Sequence, residues 1–550
     1  MIAELSPRPP NTRLGRRILA LAFTLLTAGA SARDSPSASD PNIVRCSAFV
    51  GMQFGPAKIV ASDFVPNGPS SSGAPPAWNV PQLTLPASCR VRLSIVPVPG
   101  SRIASEVWLP AENWNGRYQG IGNGGLAGSI DRMNLIVAVH RGYAASATDT
   151  GHIANDTDAD WAIGNPVAIE DYGWRAIHET AVAAKAVIAR YYGKPPRFSY
   201  FGSASNGGRE ALIEAQRFPE DYDGILAGAP VLDLTGTVLA WAWMQKIVAD
   251  DPRSRLERSH LRLLNSAVLS QCDALDGATD GILEKPFRCD FRPERLLCRS
   301  PEQTDCLRPA QIRFLHALYR GPTRDRRWGF SPGGEAGWMP WITGAEPGRD
   351  IQRTLAEAVI GKMAFGRKTW NVTQLRWVPD SAAVRRTLGP ILNAVDPDLS
   401  RFHARGGKLI IYHGWNDPAL PARPVLAYFE AVRAALGPHT KDMLRLYMVP
   451  GLEHVTGGPG PNVFGQIVPA GTARTSHDIG AALEAWVEHG VAPSRIIATK
   501  YDHDFSPLVT QIGLARRTRP LCPYPMEARW SGHGSIDDAA SFVCHCDEHY

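Results

Sequence analysis

Between residues 173 and 218 the chain reads helix, strand, tight turn, helix, and that order leaves few folds open. "GWRAIHETAVAAKAVIARYYG" (173–193) carries apolar residues at helical spacing and stops on Gly193, a common helix end. "RFSYFG" (197–202) reads as a short strand, and "REALIEAQRF" (209–218) as a helix closed by Pro219. A strand that feeds through a small-residue turn into a helix is the grammar of a parallel sheet. It returns near the C-terminal end, where "GKLIIYHG" (407–414) and "MLRLYMVPG" (443–451) flank the helix signal "PVLAYFEAVRAALG". Such unbroken apolar runs suit strands buried on both faces. "RVRLSIVPV" (90–98) adds a further strand, while residues 33 to about 80 are rich in Ser, Pro and Gly and read as irregular. Residues 231–395 lack the alternation and hold Cys272, Cys289, Cys298 and Cys306 with many Trp, Pro and Asp residues. The expected organisation is an α/β core from 33–230 and 396–550, with 231–395 inserted as a lid over its mouth.

The first 32 residues read differently. Arg13, Arg16 and Arg17 precede the apolar run "ILALAFTLLTAGA" and then Ala30-Ser31-Ala32, the pattern of a secretory signal cleaved after Ala32. The run is short for a membrane span, and no later stretch is long and apolar enough for one. The expectation is a secreted or periplasmic protein that leaves the membrane once the signal is removed. A net charge of +5 over 550 residues, with no long basic run, argues against a nucleic-acid partner. An oxidising compartment favours disulfides. Adjacent pairing would give Cys46–Cys89, Cys272–Cys289, Cys298–Cys306 and Cys522–Cys544, leaving Cys546 over, although spacing alone does not fix connectivity. Oligomeric state is not legible.

The turn itself asks a chemical question. A serine hydroxyl is a poor nucleophile at neutral pH and needs a histidine base, a group to orient that base, and donors for the oxyanion. On a strained strand-to-helix turn, small residues must stand two positions either side of the nucleophile. Centred on Ser205 the pattern is Ser-Ala-Ser-Asn-Gly; centred on Ser203 it would put bulky Phe201 where a small residue belongs. Ser205 fits better, with Ser203 in place of the usual first glycine. Asp417 follows the strand "KLIIYHG" in "YHGWNDP", and His454 follows "LRLYMVPG" in "GLEHVTGGPGP". Sites in open α/β sheets gather at the carboxyl ends of strands, and the chain order Ser, Asp, His is that of α/β-hydrolases.

The stretches "YFGSASNGGREALIEAQRFPEDYDGILAGAP", "YHGWNDP" and "GLEHVTGGPGPNVFG" resemble the signature segments of the tannase/feruloyl esterase family. "AENWNGRYQGIGNGG" and "RTRPLCPYP" fit it too, and the similarity runs from about Cys46 to Cys544. The resemblance implies an α/β-hydrolase core and a serine carboxylic ester hydrolase acting on esters of aromatic acids such as feruloyl or galloyl esters, small molecules that need no organic cofactor. It implies a triad of Ser205, Asp417 and His454, with oxyanion donors at the backbone N–H of Asn206 and of Gly125. The family usually carries cysteines directly before the serine and directly after the histidine. Here Ala204 and Val455 stand there, which suggests a bridge replaced as a unit by an apolar contact.

"CDALDGATDGILEKPFRC" (272–289) crowds Asp273, Asp276 and Asp280 onto one loop. Such carboxylates repel unless a cation joins them, and hard oxygen ligands suit Ca²⁺. The resemblance implies a structural calcium held by those three side chains and by the backbone carbonyls of Ala278 and Ile282. Two rival functions stay open on sequence: an acyltransferase, in which an alcohol replaces water in the second step, and an exported non-catalytic binding protein on a hydrolase scaffold.

Overall fold

A computed structural model describes residues 40–69, 84–466, 475–503 and 513–546; the expected signal and its cleavage site lie outside the described residues. Ten strands form one sheet. They are β1 (Gln53–Phe54), β2 (Ala57–Val65), β3 (Ser88–Ile95), β4 (Ile103–Pro110), β5 (Arg117–Ile121), β6 (Ala144–Thr148), β7 (Phe198–Ala204), β8 (Gly224–Gly228), β9 (Lys408–Gly414) and β10 (Leu444–Val449). Their order is β1-β2-β3-β4-β6-β5-β7-β8-β9-β10. The pairings from β1 through β4 to β6 are antiparallel, and those from β6 to β10 are parallel. This is the mostly parallel α/β-hydrolase core that the sequence leads one to expect.

Alternation builds two hydrophobic layers from the central strands. Ile225 and Ala227 of β8 and Leu409 and Ile411 of β9 face one layer, while Leu226, Ile410 and Tyr412 face the other. Helix α1 (Arg132–His140) covers the second face, and α2 (Ala176–Tyr192) and α3 (Asn206–Arg217) cover the first. Each side chain points out of the pleat in turn, so a continuous apolar strand fills both layers. Helix α2 ends where the sequence says, with Gly193 left-handed at φ 72°.

Three expectations need correction. Helix α3 begins at Asn206, not 209: the turn shrinks to Ser205 alone, and the glycine pair read as turn is the first turn of the helix. The stretch 33 to 80 is not wholly irregular, because β2 lies within it. Its polar residues Ser62 and Asp63 and a register shift between Ile59 and Ala61 hide the alternation. The early strand occupies Ser88–Ile95, shifted back from 90–98.

Between β8 and β9, which pair in the sheet, the chain leaves to form α4 (Leu234–Asp250), α5 (Arg258–Cys272), α6 (Pro309–Arg320) and α7 (Trp377–Leu392). This insertion has its own apolar clusters, one of which takes in Leu126, Tyr172, Ala419 and Leu420 of the core. Polar ties add to that seam. Trp241 Nε1 donates to Ala419 O (3.0 Å), Gln352 Nε2 to Pro418 O (3.1 Å) and Asn416 Nδ2 to Gly333 O (2.7 Å). At about 1 kcal/mol net for a buried bond, they fix the loop around Asp417 from three sides. Helices α8 (Arg423–Leu436) and α9 (Ile479–His489) complete the first and second faces respectively. All four adjacent cysteine pairs are bridged, with Cys546 exposed outside them.

Candidate active site

Strand β7 delivers the chain to Ser205 at φ 62° and ψ −119°, and α3 starts at the next residue. A positive φ on a residue with a Cβ costs of order 1–3 kcal/mol and must be held. The Ser205 N–H donates to Gly228 O (2.9 Å), and its carbonyl accepts from the N–H groups of Arg209 (3.1 Å) and Val231 (3.2 Å). Two glycines make the crossing possible. A Cβ on Gly207 would stand 2.0 Å from Ser203 Oγ, and one on Gly208 2.4 Å from Gly228 O. Ser203 thus takes the place of the usual first glycine by resting its side chain against the bare Gly207.

His454 Nε2 lies 2.9 Å from Ser205 Oγ, and His454 Nδ1 lies 2.9 Å from Asp417 Oδ2. The three residues come from the ends of β7, β9 and β10, so the sheet brings together side chains far apart in sequence. Asp417 is buried, and its Oδ1 accepts from the N–H groups of Ala419 (2.8 Å) and Leu420 (2.9 Å). Burial opposes the Asp417 charge, but the His454 imidazole, His413 and the Leu420 amide outweigh it, and the carboxyl lies below its usual range. His413, on β9, sits 3.0 Å from Leu420 O through Nε2. Burial lowers its pKa, with Asp417 opposing the shift. Trp341, from the insertion, sets its ring edge-on to His454 with centroids 4.9 Å apart.

Gly125 and Asn206 line the same cavity as Ser205 and His454. Gly125 has φ 53°, and a Cβ there would meet Asp156 O at 2.4 Å. The Tyr172 hydroxyl lies 2.8 Å from Gly125 O and 2.9 Å from Asn206 Oδ1, tying the two segments to one atom. Asn206 is further fixed by Arg209 Nε, which donates to its Oδ1 (2.8 Å), and by Glu210 Oε1, which accepts from its Nδ2 (3.0 Å). Glu210 Oε2 accepts from the Asn123 N–H (2.9 Å). Burial pushes the Glu210 carboxyl up to about 7. Sequence reasoning missed Tyr172, Arg209, Glu210, His413 and Trp341. Only Arg209 and Glu210 left a signal there, at i+3 and i+4 from Asn206 on one helix face.

The cavity over these groups has a volume of about 520 Å³. Leu234, Val238, Trp241, Trp341, Leu355 and Val359 form an apolar wall from the insertion, and Asp131, Asn134, Arg141 and Glu484 form a polar end. The arrangement can pass a proton from a hydroxyl to a partly buried imidazole beside an apolar slot, with a helix N-terminus at the reacting oxygen, where developing negative charge is favoured.

A profile described as tannase and feruloyl esterase matches residues 89–545. The chain belongs to the tannase and feruloyl esterase family. It is 38% identical to an uncharacterized esterase of Xanthomonas campestris pv. campestris, covering 96% of this chain and 94% of that one. It is 32% identical to the mono(2-hydroxyethyl) terephthalate hydrolase of Piscinibacter sakaiensis, over 84% of this chain and 85% of that one. The crystal structure of feruloyl esterase B from Aspergillus oryzae superposes with a TM-score of 0.79 at 26% identity, covering 91% of this chain and 99% of that one. The protein is a carboxylic ester hydrolase.

Within this tannase and feruloyl esterase fold, Ala204 and Val455 both line the cavity beside the serine and histidine, and Val455 has φ 68°. The acidic loop is more crowded than its sequence suggested. Asp273 accepts from the N–H groups of Gly281 (3.0 Å) and Ile282 (3.2 Å), and Asp276 from those of Ala278 (3.0 Å) and Glu284 (3.2 Å). Asp280 pairs with buried Arg519 and accepts from the Ile282 N–H (3.1 Å). Asp273, Asp276 and Asp280 do not bring one oxygen each within 4.8 Å of one another. Yet the donor set suits a hard cation. Buried Glu284 joins the three aspartates, and its Oε1 has no hydrogen-bond partner. Burial holds Asp276 up at about 6, with the neighbouring Asp280 adding to the rise and Arg519 opposing it.

Proposed function

We propose that the enzyme hydrolyses esters of aromatic acids, with Ser205 as nucleophile, His454 as base and Asp417 as the group that orients it. The observation that carries this reading is the unbroken Ser205–His454–Asp417 relay, with both contacts at 2.9 Å. Ser205 Oγ attacks the ester carbonyl carbon as its proton passes to His454 Nε2. The amides of Asn206 and Gly125 receive the oxyanion. The carbon–oxygen bond to the alcohol breaks, His454 returns the proton to the leaving oxygen, and water releases the acid from the acyl-serine by the same steps. An aryl group suits the apolar wall that carries Trp241 and Trp341, since flat rings bury large area at low entropic cost. The names of the relatives, feruloyl esterase B and mono(2-hydroxyethyl) terephthalate hydrolase, are consistent with aryl esters.

A bound Ca²⁺ would neutralise the acidic loop, with the side chains of Asp273, Asp276 and Asp280 and the carbonyls of Ala278 and Ile282 as its holders. Its contribution is to stability. Export to an oxidising compartment, the periplasm or the outside of the cell, accords with the four disulfides.

Hydrolysis of methyl ferulate, methyl gallate and a terephthalate monoester, each with wild type and Ser205→Ala, tests the reading. Wild type should release the free aromatic acid from at least one of the three, and Ser205→Ala should lose on the order of 10³-fold or more in kcat. Full turnover by Ser205→Ala, or no hydrolysis of any of the three by wild type, would overturn it.

A further inference from the structure

A second cluster of chemistry-bearing side chains lies away from the esterase site, at the other end of α3. His178 on α2, Glu214 on α3 and Asp221 in the turn after α3 each place one ligand atom within 4.8 Å of the others. Glu214 has no solvent exposure, and neither of its carboxylate oxygens has a hydrogen-bond partner. A fully buried carboxylate facing a second one without a donor is costly unless a cation or proton joins them. Asp221 is also buried. Its Oδ2 lies 2.6 Å from His178 Nδ1, and its Oδ1 lies 3.4 Å from Lys185 Nζ. The Lys185 ammonium is the local counter-charge; it reaches Asp221 from the partly exposed surface of α2 and makes no hydrogen bond to Glu214. The His178 ring stacks on Phe218 with centroids 3.9 Å apart and keeps about a quarter of its side chain exposed, which gives an ion a way in from solvent.

We propose that His178, Glu214 and Asp221 form a site for a divalent transition cation of the Zn²⁺ class, bracing α2 against α3. One imidazole and two carboxylates are a donor set for Zn²⁺, Co²⁺ or Mn²⁺, whereas Ca²⁺ and Mg²⁺ prefer oxygen alone. Three protein ligands leave a fourth position for water. Because α3 begins beside Ser205, an ion here would stiffen the helix that carries the serine turn without touching the ester. A second group, His403, His439 and Asp442, also converges, but it is largely exposed and has no buried unpartnered member, so it serves as the control.

The test uses tag-free full-length protein stripped with chelator and dialysed, then titrated with Zn²⁺ by calorimetry and with Co²⁺ by visible absorption. Wild type should take up one equivalent that is retained in the double variant His403→Ala/His439→Ala. His178→Ala and Glu214→Gln should each weaken it by about tenfold or more, with their unliganded melting temperatures reported alongside to show that both fold. Millimolar Ca²⁺ should not displace it. If stripped wild type binds no Zn²⁺, Glu214 holds a proton instead and the proposal fails. It fails equally if His178→Ala and Glu214→Gln bind as wild type does, or if the control double variant alone loses the ion.

Discussion

At the scale of single residues, the site depends on small steric and polar facts that can be moved one at a time. Tyr172 is buried, and its hydroxyl lies within hydrogen-bond distance of both Gly125 O and Asn206 Oδ1. Removing it should loosen the spacing of the two amides that would receive the oxyanion. Tyr172→Phe is therefore expected to lower kcat by about tenfold, the worth of one hydrogen bond shared between the two oxygens, with little change in KM. An unchanged kcat would free Tyr172 of any positioning role. Gly207 gives a sharper case. A Cβ there would stand 2.0 Å from Ser203 Oγ and 2.5 Å from Ser203 Cβ, but 3.3 Å from its next neighbour, Asn123 O. Gly207→Ala should destabilise by ~1–3 kcal/mol through overpacking, and Ser203→Gly/Gly207→Ala should recover most of that loss in denaturant unfolding. If the pair is merely additive, the two positions do not share one space. Ser205 was legible in the sequence because its small neighbours serve a local turn. Tyr172 was not, since its importance comes from contacts 34 and 47 positions away.

Among elements, the strands that carry Ser205, Asp417 and His454 were readable because buried parallel strands are written as short, unbroken apolar runs. Their partners were less so. Strand β2 hides behind polar residues and a register shift, and the start of α3 was masked by glycines that normally announce a turn. Where the two carriers of Ser205 and His454 meet, the family's usual cysteines are absent. Ala204 ends β7, and Val455 holds φ 68°, an unusual backbone for a β-branched side chain. Replacing that valine with cysteine removes a branched Cβ from a strained position, so Val455→Cys alone should cost little. In Ala204→Cys/Val455→Cys the two thiols flank side chains that already sit 2.9 Å apart, and a bridge should form on mild oxidation. Closing so long a loop contributes ~2–5 kcal/mol in the chain-entropy view, so the oxidised variant should melt higher while keeping the wild-type pattern of ester preference. Thiols that stay titratable after oxidation would mean that these two segments do not approach one another in solution.

Over the whole molecule, the balance of buried acids sets how stability should depend on pH. Burial raises Asp149, Asp276 and Asp350 to about 6 and Glu210 to about 7. Each such group prefers its proton in the folded state. Its contribution is complete below the unfolded pKa, near 4, and is lost as pH rises through the folded value. Asp417 and Glu106 run the other way, since their partners hold them below the usual range; their contribution is lost as pH falls through those lowered values. His152, His260 and His413, which burial pushes below their usual value, oppose the raised acids only up to the unfolded histidine value near 6.5, so in chelator the melting temperature should decline most clearly above about pH 6.5, where Glu210 still loses its proton. Sequence could not reveal this, because it reports which acids exist but not which ones the fold buries. Calcium provides the discriminating arm. A cation on the acidic loop needs Asp273, Asp276 and Asp280 unprotonated, and ligand binding to the folded state alone stabilises it by mass action. Added Ca²⁺ should raise the melting temperature more at pH 8 than at pH 5, flattening the decline seen in chelator. Asp276→Asn should remove most of that difference while leaving the slope due to Glu210. A calcium effect that is equal at both pH values, or absent in wild type, would show that Arg519 and the loop amides suffice to hold these carboxylates by themselves.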